Sequence, residues 1–121
     1  MWQVMKVRQA RFRALITLDP AEPRPATSRP PERQYPNPTR ALVVRVRPLR
    51  NVGSIRYFPA ETCWDSEQPL RPGDRATVTI TVTDDEAGAY FGAGQHFTLW
   101  SGGDIGHGII ARKVYTRYSP S

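Results

Sequence analysis

The chain has 121 residues, 39% of them hydrophobic, and this size and composition predict one globular domain with a modest core. Seventeen Lys and Arg residues against eleven Asp and Glu give a net charge of +6, and every basic residue except Lys6 and Lys113 is an arginine. The lone cysteine, Cys63, excludes an internal disulfide, and no apolar run has the length of a signal peptide or membrane span, so we expect a cytoplasmic protein with no membrane partner.

The first predicted strand follows a short N-terminal extension at residues 1–9. Phe12, Ala14, Ile16 and Leu18 occupy every second position of this segment. A period of two predicts a strand with one buried and one solvent-facing side. Residues 19–39 are rich in proline and poor in large apolar side chains, so we expect this loop to be extended and mobile, because proline cannot donate to a strand ladder.

Further strand-like segments follow along the chain, at 42–46, 51–55, 61–64, 76–83, 95–100 and 109–115. The most regular one alternates apolar residues with threonines between Ala76 and Thr83. Pro72-Gly73-Asp74 predicts a turn before it, and Gly102-Gly103-Asp104 predicts a hairpin between the last two strands. Many short strands separated by turns predict an all-β closed barrel or sandwich, here one domain at 10–116 with a tail at 117–121.

The C-terminal half carries a glycine-rich pattern. Gly94-x-x-Phe97-x-Leu99 leads into Gly102-Gly103-Asp104-Ile105-Gly106-His107-Gly108-Ile109-Ile110-Ala111-Arg112-Lys113-Val114, and the Pro72 turn precedes both. In order and spacing these elements resemble the third domain of elongation factor Tu, and the resemblance extends upstream through Val52-Gly53-Ser54-Ile55 to about Arg11. It implies a six-stranded antiparallel β-barrel whose first long hairpin contains the proline-rich loop.

The resemblance also implies partners. In that family the domain helps to hold the T stem of aminoacyl-tRNA and contacts translation proteins, so a translation-related protein or tRNA is expected. The chain lacks a Gly-x4-Gly-Lys-Ser/Thr loop and an Asn-Lys-x-Asp segment, so we expect no GTP binding and no cofactor. Trp100, Ser101 and Asp104 depart from the charged residues usual around this hairpin. An aspartate repels phosphate, which favours a protein partner over tRNA.

No pattern in the sequence predicts catalysis or a metal centre. His96 and His107 are eleven residues apart, on a predicted strand and a predicted turn, and lack the spacing of metal ligands. Asp84-Asp85-Glu86 is typical of a solvated acidic loop. Cys63 is interpreted as a half-buried residue beside Trp64. We therefore expect a protein that is not an enzyme, with no catalytic, cofactor-binding or metal-binding residues.

Arginines interleaved with aromatic residues are the main functional signal. If the strands that carry them pair, they would form one wall able to bind a protein or RNA. The candidate residues are Arg11, Arg13, Arg40, Arg45, Arg47, Arg56, Trp100, Arg112, Lys113 and Tyr115. The sequence thus predicts a non-enzymatic binding module. Scattered solvated charge is one alternative, and a protein-interaction or self-associating regulatory barrel unrelated to translation is another.

Overall fold

The elements that the computed structural model describes are β-strands. It describes residues 6–20, 34–47, 54–84, 87 and 90–120, with side chains placed between 9 and 114 within those ranges. Six strands form: β1 (Lys6–Leu18), β2 (Val43–Val46), β3 (Arg56–Trp64), β4 (Arg75–Thr83), β5 (His96–Trp100) and β6 (Asp104–Pro120).

The six strands close into one antiparallel barrel. Their order around the barrel is β1-β4-β3-β2-β5-β6, and β6 pairs with β1 to complete the ring. The prediction of an all-β, six-stranded antiparallel barrel is therefore confirmed. Closure gives each of the six described strands two neighbours, although β6 pairs with β1 alone beyond the residues that β5 covers.

In both β1 and β4 the apolar residues of the alternating pattern lie on the inner face of the sheet and the polar residues on the outer face. Phe12 lies opposite Ile80 and Ala14 lies opposite Val78, and all four side chains are buried. Because cross-strand partners share a face, this register places the apolar half of both patterns inside the barrel. The threonines of β4, and Arg11 and Arg13 of β1, face outward.

Strand β3 corrects the prediction of two short strands at 51–55 and 61–64. A single strand runs through Pro59, residues 54–55 are not in a strand, and 51–53 lie outside the described residues. Pro59 is exposed and faces Val43 of β2, whereas pairing with β4 begins at Ala60. The proline thus occupies the position where β3 passes from one neighbour to the next, so its missing N–H disturbs neither ladder's interior.

Phenylalanine side chains fill one end of the core. The rings of Phe12 and Phe91 stack with centroids 4.6 Å apart, and Phe58 lies 5.3 Å from Phe91. Phe97 completes the group with an edge contact to Phe12. Phe91 belongs to the irregular connection between β4 and β5, yet it is fully buried, so this loop closes the barrel end.

The proline-rich loop is held down at its C-terminal end. Tyr35 exchanges two backbone hydrogen bonds of 2.9 Å with Leu70, and Thr39 exchanges two of 2.9 Å with Thr62. The Asn37 side chain donates to the carbonyl oxygen of Trp64. The prediction of a mobile segment is wrong for 34–39, because buried side chains and paired backbone fix it, and residues 21–33 lie outside the described residues.

Glycines let β6 approach its neighbours closely. Gly102 has a φ of +73° in the predicted hairpin between β5 and β6. A Cβ at Gly106 would collide with the Thr17 carbonyl oxygen and lie 3.1 Å from the Cα of Leu18. A Cβ at Gly108 would overlap the Phe97 ring. Only hydrogen fits at these buried positions, and the seam between β1 and β6 depends on them.

The seam is longer than the predicted domain bounds of 10 and 116. Backbone pairing between β1 and β6 continues to Lys6 opposite Pro120.

Among the residues described, no helix combines the length and apolar character needed to cross a membrane.

Alanine at Gly106 is expected to lower the free energy of unfolding by roughly 2 kcal/mol, because the new methyl group must displace the β1 backbone. Gly103 in the same hairpin is the matched control, since a Cβ there meets no atom within 4 Å. Urea denaturation of Gly106→Ala and Gly103→Ala measures the difference. Equal stability of the two variants would contradict the close approach of β6 to β1.

Valine at Thr62 is expected to stabilise the barrel by about 1 kcal/mol. Among the buried side-chain polar atoms of the described residues, Thr62 Oγ1 alone has no hydrogen-bond partner, and an unpaired buried hydroxyl is costly. The buried Thr39 hydroxyl instead accepts a 3.1 Å bond from the Ala41 amide. Thr39→Val should therefore destabilise the protein in the same thermal unfolding assay, and a loss of stability in Thr62→Val would show that its hydroxyl is satisfied.

Candidate functional site

The strand order divides the predicted basic residues between opposite sides of the barrel. Strands β1 and β2 are three positions apart in either direction around the ring, so they do not pair. The predicted single wall of basic residues required these strands to pair, so the structure does not form it. Arg11, Arg13 and Arg112 gather on β1 and β6, whereas Arg45 and Arg47 belong to β2 and its neighbours.

The β1–β6 seam carries a cluster of three arginines, which we call the basic wall: Arg11, Arg13 and Arg112. Arg13 is directly opposite Arg112 across the ladder, and Arg11 lies two residues before Arg13 on the same outer face of β1. The Arg13 guanidinium donates a 3.0 Å hydrogen bond to the Thr79 hydroxyl of β4. This bond holds one guanidinium flat against the sheet.

A β-bulge places Arg112 on this wall. The register of β6 skips from Ile110, opposite Ala14, to Arg112, opposite Arg13, and Ala111 has no partner. Such an insertion lets successive residues share one face. Ala111, Arg112 and Lys113 are all exposed. Lys113 pairs with the inward-facing Phe12, beyond the part of β6 that β5 covers, so it does not share the face of Arg112.

Ion pairs distinguish three of the other candidate arginines from those of the basic wall. Within the described part of the chain, the ion pairs are Arg40–Glu61 at 3.1 Å, Arg45–Asp104 at 2.9 Å and Arg56–Asp84 at 3.4 Å. None of the wall's arginines, nor Lys113, has a carboxylate partner among these residues. The positive charge of the wall is therefore uncompensated, whereas that of three other predicted arginines is balanced locally.

Arg45 lies at the centre of an outward-facing cluster on β2. Its guanidinium donates to both Asp104 carboxylate oxygens, at 2.9 and 3.2 Å. Hydrogen bonding to Tyr57, followed by the charge of Asp104, raises the pKa of Arg45. Tyr57 in turn makes an edge contact with Trp100, with ring centroids 5.8 Å apart. The negative charge of Asp104, which would repel a phosphate, is thus balanced by Arg45 within the protein.

Arg40 and Arg56 have different surroundings. Arg40 is largely exposed and Glu61 partly exposed, and both border a depression of about 500 Å³ that Arg11 also lines. Arg56 lies 4.8 Å from the Phe58 ring and 5.6 Å from the Tyr90 ring, in addition to its bond to Asp84. This geometry makes Arg56 a cover for the aromatic end of the core.

Both histidines lie on strands and face outward, so the prediction of a turn at His107 is wrong. His107 in β6 is paired with Thr98 of β5, and His96 is exposed on the same face of β5. Together with Arg47 they line a second depression of about 640 Å³. Sequence reasoning missed this group because the strand character of residues 104–108 is hidden by glycines. The Tyr115 side chain lies outside the described residues.

The described residues do not assemble a metal centre, since no three His, Cys, Asp or Glu side chains among them are close enough to share an ion. Cys63 is half-buried on the outer face of β3, and Asp84 is engaged by Arg56. Asp85 and Glu86 lie outside the described residues. What the surface offers chemically is a set of charged donors suited to an anion.

Asparagine at Asp104 is expected to lower the free energy of unfolding, because it breaks a two-bond ion pair whose arginine is also held by Tyr57. Glu61→Gln is the matched control, since the side chain of Arg40 is 84% exposed against 28% for Arg45, and an ion pair of so exposed an arginine should contribute almost nothing. Urea denaturation at low salt compares the two. A larger loss in Glu61→Gln would reverse this ranking.

Comparison with known proteins returned no match for this chain among protein-family models, curated proteins or solved structures.

Proposed function

We propose that the chain is a non-enzymatic RNA-binding barrel of the elongation factor Tu third-domain type, and that it holds the phosphate backbone of RNA, with tRNA as the first candidate, on the basic wall. The observation that carries the proposal is the set of three arginines on β1 and β6 with no carboxylate partner among the described residues. The resemblance of residues 72–114 to that domain points to tRNA.

Stability of the barrel gives no reason for this arrangement. Like charges directly opposite each other in an antiparallel pair are destabilising, and Arg13 faces Arg112 in this way. A bound polyanion would remove the repulsion by lying between the two guanidinium groups. Arginine suits that role because its planar fork matches the oxygens of a phosphate.

The neighbours of the wall favour contact with the backbone of RNA over recognition of its bases. The residues paired with the outward arginines across the sheet include Thr79, Thr81 and Val114. None of these three has a ring on which a base would stack. Phosphate contacts fix position and supply affinity without reading sequence, so binding should be tolerant of sequence and sensitive to salt.

Asp104, the departure that argued against tRNA, does not oppose this proposal. Both of its carboxylate oxygens accept hydrogen bonds from Arg45, and the pair lies away from the wall on the β2 side. Its negative charge is therefore balanced before any RNA approaches.

Loss of Arg13 and Arg112 together is expected to weaken tRNA binding and to flatten its salt dependence. Each phosphate contact contributes a slope of roughly 0.7 to 0.9 to the fall of log Kobs with log salt, so Arg13→Ala/Arg112→Ala should reduce the slope by about 1.5. Gel shift of labelled tRNA over a series of salt concentrations measures it.

The double variant Arg40→Ala/Arg45→Ala is the matched control. It removes the same number of positive charges, but from arginines that already have carboxylate partners. An equal drop in slope for both double variants would mean that net charge alone drives binding, and the wall would lose its role. If the wild type does not bind tRNA but retains an acidic translation protein through Arg13 and Arg112, the proposal fails for RNA and the wall belongs to a protein partner.

A self-associating interaction barrel unrelated to translation is the second candidate, favoured by the Tyr57–Trp100 contact. Tyr57 is 50% exposed and neighbouring Ile55 is 46% exposed, so an apolar and aromatic patch faces solvent beside Arg45. Sedimentation at several protein concentrations separates the candidates. A monomer at all concentrations that binds tRNA excludes self-association as the function.

A further inference from the structure

The depression between β2 and the β5–β6 hairpin gathers both histidines of the chain with two arginines. It has a volume of about 640 Å³, and Arg45, Arg47, His96 and His107 are among its lining residues. None of the described residues that line it is acidic. It is separate from the basic wall, because the Leu15–Ile109 pair lies between them on the β1–β6 seam.

The registers of three strands produce this grouping. Arg45 is paired with Thr98, and Thr98 is paired with His107, so the three form one row across β2, β5 and β6. His96 lies two residues before Thr98 on the same face of β5 and is therefore a diagonal neighbour of His107. Diagonal partners in antiparallel sheets are about 7–8 Å apart, which is within reach of one small ligand.

Several donors in the depression have no acceptor within the described part of the chain. Arg45 is occupied by Asp104, but the side chains of Arg47, His96 and His107 make no hydrogen bond or ion pair there. The Gln95 amide donates a 3.2 Å bond to the Arg47 carbonyl oxygen, which ties the end of β2 to the start of β5. The open donors are thus presented from connected strands.

We propose that this depression binds a phosphate-type oxyanion, and that protonation of the two histidines strengthens the binding. Arg47 supplies a permanent positive charge, and each protonated imidazole adds a charge and a second N–H donor. The charged and titratable groups facing the depression are Arg45 from β2, Arg47 just after it, His96 from β5 and His107 from β6, with Asp104 paired to Arg45 at the rim. The inference is independent of RNA binding by the basic wall.

Sulfate is the primary probe, because it keeps the same charge between pH 5.5 and pH 7.5 and any pH dependence then belongs to the protein. Titration of the untagged protein, followed by two-dimensional NMR of the backbone amides, should shift residues 95–98 and 106–109. We expect roughly fourfold tighter binding at pH 5.5 than at pH 7.5, since each of two exposed ion pairs adds a factor of about two.

The variant His96→Gln/His107→Gln should abolish this pH dependence, and Arg47→Ala should weaken sulfate binding at both pH values. Arg13→Ala/Arg112→Ala, which alters the basic wall, should leave the sulfate-induced shifts of residues 95–98 and 106–109 unchanged. Pyrophosphate and a short RNA with a 5′-hydroxyl end distinguish the source: shifts of residues 95–98 with pyrophosphate alone assign a free phosphate compound, and shifts with the RNA assign a phosphodiester. The proposal is overturned if the pH dependence survives in the double histidine variant or if sulfate shifts only the basic wall.

Discussion

Contact between β6 and β1 is the constraint on which the rest of this barrel depends. It requires hydrogen in place of a side chain at Gly106 and Gly108, where a Cβ would meet the Thr17 carbonyl oxygen and the Phe97 ring. Because β6 also pairs with β5, the same strand closes the ring and sets the faces of both of its neighbours. The outward direction of His107, between those two glycines, and the meeting of Arg13 with Arg112 both follow from this closure.

Ion pairs determine where positive charge remains on the outer surface of the barrel. A basic protein with a net charge of +6 can distribute that charge evenly or leave it concentrated, and here carboxylates neutralise Arg40, Arg45 and Arg56. Among the described side chains, the arginines without a carboxylate partner include those at the β1–β6 seam and Arg47 in the depression beside β5. Binding properties should therefore follow the geometry of the ion pairs more closely than the number of arginines.

Alternation of apolar residues made β1 and β4 predictable, and Phe12 and Ile80 occupy the faces that their patterns indicate. The prediction of two separate short strands at 51–55 and 61–64 is wrong, because one strand continues through Pro59 and a proline is tolerated where a strand changes partners. Neither the strand order nor the bulge at Ala111 is encoded in a local pattern. The meeting of Arg13 with Arg112, and the separation of Arg45 from both, therefore had to come from three-dimensional pairing.

The bulge at Ala111 acts as a phase shift in β6. One residue without a partner brings Arg112 to the face that Arg13 occupies. Without the bulge, regular pairing would place Ala111 opposite Arg13 and Arg112 opposite Phe12, while the pI of about 10.1 and the set of arginines would stay the same. The register of β6, as well as the identities of its basic residues, therefore decides whether Arg112 and Arg13 can bind the same ligand.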